Sequence, residues 1–483
     1  MVAAAGLSPV TLPSAIVSEA QWSTAHDGMV ELLRDLIRIR SVNPPEPADG
    51  QLQAARFIAG VLTDIGLTPE VVEPYPGRGC VTARIRGDGT GGEPLLLLSH
   101  LDVVPAPPEG WTHDPFAGDV ADGYLWGRGA VDMKGTIAMQ LAVVRQLADE
   151  ARAAGRDPAT DPVPGLTRDV LITVTADEEA GGLQGIGWLV DNRPEWLQAA
   201  AALSECGGVS VTVATRRLYP IQVAEKGYAV YRITIHGTWG HASMPRTDNA
   251  VVLVAEAIRR LAQPGPARLT PVMDRFIATA ADALPTEPGR LLRTVAHPDG
   301  RLSEAAIDTL CDPVYARTIR ALLRDTVSPT IVHAGVKYNV IPGQAELHVD
   351  CRVLPGTTEE QIHAELVERL DDLAPACDVE LIIFAPAVES PQDTGLYELL
   401  GRTVRMHDPE GTPIAAMVPF ATDAKHTARL GIPTYGFSPL RLPAEEHFLD
   451  RFHGVDERVS LDGLRWGLPV LYDVVRGFCS GSG

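Results

Sequence analysis

95-LLLLSHLDVVP-105 runs from four leucines into a histidine and, two residues later, an aspartate. An unbroken apolar run of this length predicts a strand covered on both faces, the condition of a parallel sheet flanked by helices. If extension continues through residue 102, His100 and Asp102 share a face, because side chains at i and i+2 point the same way. Asp102 could then accept the second ring N–H of His100 and fix its tautomer for a metal. A buried histidine with a hydrogen-bond partner fits the same residues, so the pair alone leaves both readings open.

On either side of this strand, short apolar runs alternate with amphipathic stretches. Residues 27–39 and 51–65 carry apolar positions at helical spacing, and Gly66 is placed as a C′ glycine. Strands are expected at 80-CVTARIRG-87 and 169-DVLITVTADEE-179, with a helix over about 135–154 between them. Such alternation predicts an α/β domain with a largely parallel central sheet. The pattern changes at 226-KGYAVYRITIHG-237, where Ala229, Tyr231, Ile233 and Ile235 alternate with Tyr228, Val230, Arg232, Thr234 and His236. A helix over 248–262, strands over 329–341 and 343–353, a helix over 358–372 and a strand over 379–386 complete a β-α-β-β-α-β order. That order predicts a ferredoxin-like α+β unit inserted into the larger domain. The expected division is 1–225, 226–388 and 389–483, the outer segments forming one domain. Within the inserted unit, an insert over about 264–328 carries two helical patterns of its own.

At 483 residues the chain exceeds the ~250–300 at which a single core stops growing, in keeping with two domains. Forty-one Lys+Arg against 62 Asp+Glu give a net charge of −21, which argues against nucleic acid and anionic membrane surfaces as partners. No apolar run reaches the ~18 residues of a membrane span. The N-terminal MVAAAGLSPVTLPSAIVSEA lacks the basic start and sustained apolar core of a secretory leader. Six scattered cysteines without C-x-x-C pairing read as reduced thiols. A cytoplasmic location is expected.

Four further stretches carry chemistry-bearing residues. In 126-WGRGAVDMKGTIAM-139 the third glycine of a dinucleotide fingerprint is absent and Asp132 stands there, just before a helix. It delivers a carboxylate to a crowded turn, or caps the helix. In 176-ADEEAGG-182 an apolar strand ends in three acids, so Glu178 and Glu179 can address one site, and a cation would relieve their repulsion. A solvated loop fits equally. Glu205 in 204-SECGG-208 and His453 in 453-HGVDERV-459 are each weak signals alone.

Together HxD, GRGAxDMKG, DEEAGG, ECGG and HGVDER form an ordered set. In order and spacing, from about residue 27 onward, it resembles the dinuclear zinc amidohydrolases. That family includes aminoacylase, acetylornithine deacetylase, succinyl-diaminopimelate desuccinylase, carnosinase-type dipeptidases and glutamate carboxypeptidase. The resemblance implies a zinc-peptidase-like catalytic domain with a mixed, largely parallel sheet, and an inserted lid/dimerisation domain. It implies two Zn²⁺ per chain, with Co²⁺ or Mn²⁺ as alternatives. One would be held by His100, Asp132 and Glu205, the other by Asp132, Glu179 and His453, with Asp132 bridging. Glu178 matches the general base and Asp102 the partner orienting His100. His241 in GTWGHASMP matches an oxyanion-stabilising lid histidine that often reaches across a dimer. Asn339 in KYNVIPG matches a carbonyl-binding amide, and Arg352 in DCRVLPG an arginine that grips a substrate carboxylate. By residue type alone these three are equally a surface histidine, a turn asparagine and a salt-bridged arginine. Cys206 departs from the pattern, since relatives often carry glycine there; a thiolate at this point could compete as a ligand. Glutamate at 205, where carbamoylase-like members tend to have histidine, favours peptidase or deacylase chemistry.

The implied activity is zinc-dependent hydrolysis of an amide or peptide bond next to a free carboxylate. The implied assembly is a homodimer joined through the lid domains, without nucleic-acid or membrane partners. Its substrate would be a short peptide or an N-acyl amino acid. A specific biosynthetic deacylase of the acetylornithine or succinyl-diaminopimelate type is the nearest alternative, and a non-catalytic metal-binding scaffold the alternative of another class.

Overall fold

The computed structural model describes residues 12–44, 48–295, 302–310, 313–446 and 448–481. Most of the N-terminal MVAAAGLSPVTLPSAIVSEA, and Cys311, lie outside them. The chain folds into two compact units. The first comprises Met1–Val223, Ser390–Ile414 and Thr422–Gly483, and the second Ala224–Glu389 with Ala415–Ala421.

In the first unit, Val170–Thr175, Leu95–His100, Ala201–Ser204 and Thr434–Gly436 lie side by side and parallel. The antiparallel strands Arg78–Ile85 and Glu70–Tyr75 extend one side. Arg216–Glu225 pairs antiparallel on the other. Leu95 to Leu98 are completely buried, as a strand covered on both faces requires. The helix Lys134–Ala153 packs on this strand and against the helices Glu19–Arg38 and Leu461–Cys479. Glu19–Arg38 begins eight residues before the periodic apolar stretch, because Ser18 and Gln21 form a reciprocal capping box. Gly66, with φ 93°, follows the helix Gly50–Asp64.

The second unit is a four-stranded antiparallel sheet in the order Thr326–Ala334, Gln344–Val353, Gly227–His236, Cys377–Ala385. Ala229, Tyr231, Ile233 and Ile235 are fully buried against the helices Ala250–Leu261 and Glu359–Leu370. Two expectations need correcting. The strand expected over 329–341 stops at Ala334, because Gly335 takes φ 73°; Val340–Ile341 instead pairs with Gly240–His241 in a separate ribbon. Among the described residues the insert holds four helices rather than two: Pro271–Ala283, Thr286–Leu292, Glu304–Leu310 and Pro313–Leu322. The seven-residue members are too short for hydrophobic periodicity to reveal.

Candidate functional site

Three parallel strands deliver acids or histidine at their carboxyl ends, where open α/β sheets bind ligands. His100 ends Leu95–His100, Glu178 and Glu179 follow Val170–Thr175, and Glu205 follows Ala201–Ser204. Asp132 arrives from the turn before the helix Lys134–Ala153. That turn is crowded: a Cβ on Gly135 would lie 2.4 Å from the carbonyl oxygen of Ala130.

The structure brings these side chains together in two triads, His100–Asp132–Glu205 and Asp132–Glu179–His453. In each, one ligand atom per residue lies within 4.8 Å of the others. His100 Nε2 is 3.0 Å from Asp132 Oδ1 and 3.6 Å from Glu205 Oε2. His453 Nε2 is 3.3 Å from Asp132 Oδ2 and 3.2 Å from Glu179 Oε2. Asp132 therefore turns one oxygen to each triad. His453 sits at the exposed rim, whereas His100, Asp132 and Glu205 are buried.

Asp102 does not act quite as extension would have it. The strand ends at His100, and His100 Nδ1 donates to the backbone carbonyl of Asp102 at 3.0 Å. A carbonyl can only accept, so Nδ1 carries a proton, which leaves Nε2, facing Asp132 and Glu205, as the nitrogen that can bind a metal once deprotonated. The Asp102 carboxylate lies 3.6 Å from Nδ1 and accepts from Asn43 Nδ2 and from the backbone N–H groups of Glu178 and Glu179. It thus shapes the turn carrying both glutamates. Asp177 leaves the cluster altogether, paired with Arg78 and accepting from Gln184 N–H.

The electrostatics suit a cation. Burial pushes Glu179 up to about 7 and raises Glu178 and Glu205, with Asp132 adding to the rise at Glu205. Burial disfavours the His100 cation, yet Glu205 and the hydrogen bonds to Asp102 and Asp132 outweigh it and raise the imidazole. Hydrogen bonds to Asp132 and Glu179 push His453 up to about 10. Protons are thus drawn onto the cluster to offset its negative charge, and Glu179 Oε1 is buried with no hydrogen-bond partner. Nitrogen and carboxylate donors in this number suit a pair of divalent metal ions. Burial, then Glu205, raises the Cys206 thiol well above its usual value, which keeps it protonated and weak as a ligand.

His241, Asn339 and Arg352 lie in the second unit. His241 and Asn339 share the short ribbon, where Ala242 N–H donates to the Asn339 carbonyl at 3.1 Å. His241 is exposed, with Nδ1 2.7 Å from Ser243 Oγ, and Asn339 Oδ1 is buried without a partner. Arg352 is paired within its own strand: Nε and Nη2 donate to Asp350 at 2.8 and 3.1 Å.

Sequence reasoning missed the residues that hold the cluster in shape. Glu457, fully buried, accepts from Arg128 Nη1 at 2.5 Å and from the N–H groups of Gly129, Val131 and Asp132. It stands in the quoted HGVDERV, but an acid between Asp456 and Arg458 reads as a solvated charge. Lys425 and its neighbours in 421-ATDAKHTARL-430 also reach the glutamate turn, and that segment carries no pattern that flags it.

The family described as "Peptidase family M20/M25/M40" matches residues 96–477, and the chain belongs to it. The chain is 29% identical over 455 residues to an N-fatty-acyl-amino acid synthase/hydrolase of Xenopus tropicalis, covering 90% of this chain and 83% of that protein. An M20 family metallo-carboxypeptidase of Sulfolobus solfataricus shares the fold, with TM-score 0.68 and 16% identity, covering 93% of this chain and 99% of that one. So does a dinuclear metal binding peptidase of the M20 family from Bacillus subtilis, with TM-score 0.57 and 12% identity, covering 95% and 99%. The chain is therefore a metallohydrolase of a dinuclear metal-binding peptidase family.

Proposed function

We propose that this member of the M20/M25/M40 family hydrolyses the amide bond of an N-acyl amino acid or short peptide whose leaving amino acid has a free carboxylate. The observation that carries the reading is Asp132, one oxygen turned to each triad, with the Glu178 side chain, 10% exposed, belonging to neither. The names of the N-acyl-amino acid hydrolase and the metallo-carboxypeptidase support the substrate class.

His100, Asp132 and Glu205 would hold one Zn²⁺, and Asp132, Glu179 and His453 the other. When bound, the pair supplies Lewis acidity toward the scissile carbonyl and makes a water more acidic. Glu178 takes the proton of the attacking water and delivers it to the leaving nitrogen, a role worth ~10²–10⁴ in rate. Asp102 keeps His100 in the correct tautomer through its carbonyl and sets the Glu178–Glu179 turn through its carboxylate.

The unit containing residues 226–388 serves as the lid and joins two chains in a cytoplasmic homodimer. His241 stabilises the oxyanion, Asn339 binds the carbonyl, and Arg352 receives the substrate carboxylate in exchange for Asp350. That exchange is inexpensive, since both side chains are about one-third exposed, at 35% and 29%, and such pairs are worth ~0–1 kcal/mol. Amidating the substrate carboxylate should lower kcat/KM by at least ~10-fold, in line with ~1.5–3 kcal/mol for a hydrogen bond to a charged group. Arg352→Ala should impose a similar loss on the acid and little more on the amide. Equal turnover of acid and amide by the wild-type enzyme would refute the carboxylate anchor.

A further inference from the structure

The segment Thr422–Thr427 is fastened to the glutamate turn at two points. Thr175 Oγ1 donates to Asp423 Oδ2 at 2.8 Å. At the other end His426 Nε2 lies 2.9 Å from the Gly181 carbonyl, to which it must donate. Room for this ring depends on missing side chains, since a Cβ on Gly182 or Gly187 would lie 3.0 or 3.2 Å from an imidazole atom at its nearest. Between these anchors the segment presents Lys425, whose Nζ donates to the Thr422 carbonyl at 2.9 Å and lies 3.7 Å from Glu178 Oε1. Both side chains are about nine-tenths buried or more, at 7% and 10% exposure.

We propose that Lys425 is a positioning residue of the hydrolytic site, its ammonium holding one oxygen of Glu178 so that the carboxylate keeps the orientation needed for proton transfer. This rests on the reading of Glu178 as the base. The backbone of Glu178 is already fixed by its N–H bond to Asp102, but its side chain stands among Asp102, Asp132, Glu179, Glu205 and Asp423, which repel it, with His100 and Lys425 opposing them. A buried cation on one side counters that repulsion. This contribution does not need Lys425 to touch the substrate or a metal.

The test uses metal-loaded full-length enzyme and the variants Lys425→Met, Lys425→Arg, Glu178→Gln and Lys425→Met/Glu178→Gln. Lys425→Met should lower kcat by ~10–100-fold, the scale of a misplaced catalytic group, with KM within ~3-fold. Two metals per chain and the melting temperature should be retained, and Lys425→Arg should recover most of the rate. In the Glu178→Gln background, Lys425→Met should cost nothing further, because the two act as a unit. An unchanged kcat in Lys425→Met overturns the proposal. So does metal loss, a raised KM with normal kcat, or a further multiplicative loss in the double variant. If Glu178→Gln itself turns over normally, the reading of Glu178 as base has failed instead.

Discussion

Glu178 and Glu179 are adjacent in sequence and receive the same treatment at their backbones, each N–H bonded to one oxygen of Asp102. Their side chains part: Glu179 Oε2 turns to His453 at 3.2 Å and Glu178 Oε1 toward Lys425 at 3.7 Å. Glu178→Gln should accordingly abolish nearly all turnover while both metals stay bound, and Glu179→Gln should weaken metal binding itself. Elemental analysis beside a turnover assay checks this, and equal metal loss in both variants would reverse the assignment. The protons held by the metal-free cluster give a second prediction. Glu179, at about 7, is mostly protonated at pH 6 and ionised at pH 8, and His453, at about 10, stays protonated across that range. Both must lose their protons to bind a metal, so affinity must rise with pH. Glu179 alone accounts for ~10-fold between pH 6 and 8, and a chelator competition should show at least that. Equal affinity at the two pH values would mean that these groups are not ligands.

At the scale of elements, the two triads depend on a turn held by a residue from the C-terminal segment. Residues 128–132 wrap around the buried carboxylate of Glu457, which accepts from Arg128 Nη1 and from three backbone N–H groups. Glu457→Ala would strand a buried cation, a loss of ~3–5 kcal/mol. The denaturation midpoint should drop, and the affinity for both ions should fall together, because Asp132 faces both triads. An unchanged midpoint would show that the turn stands without Glu457. This dependence also marks where sequence stops being informative. The leucine strand, the helix after Asp132 and the alternating Gly227–His236 were legible because apolar periodicity records burial directly. The five residues of the two triads were legible because each follows an apolar strand or lies in a glycine-containing motif within an ordered set. Glu457, Asn43 and Lys425 were not, since a buried polar residue is recognised by its partners, and Arg128, Asp102 and Glu178 lie between 59 and 329 positions from them. The short ribbon carrying His241 was hidden for a different reason: the φ 73° at Gly335 breaks a run that otherwise reads as one strand.

For the molecule as a whole, the first unit contains every residue of the two triads, together with Glu178, Asp102, Glu457 and Lys425, and the second contains His241, Asn339 and Arg352. The proposed metal site lies wholly in the first unit: two ions, five side chains and one bridging carboxylate. The most direct test is to add Zn²⁺ to the metal-free chain while following hydrolysis of an N-acyl amino acid. Turnover should be absent without metal and reach its plateau at two equivalents per chain, and Asp132→Ala should abolish it at every ratio. A plateau at one equivalent, or full turnover in the metal-free chain, would contradict the two-metal site.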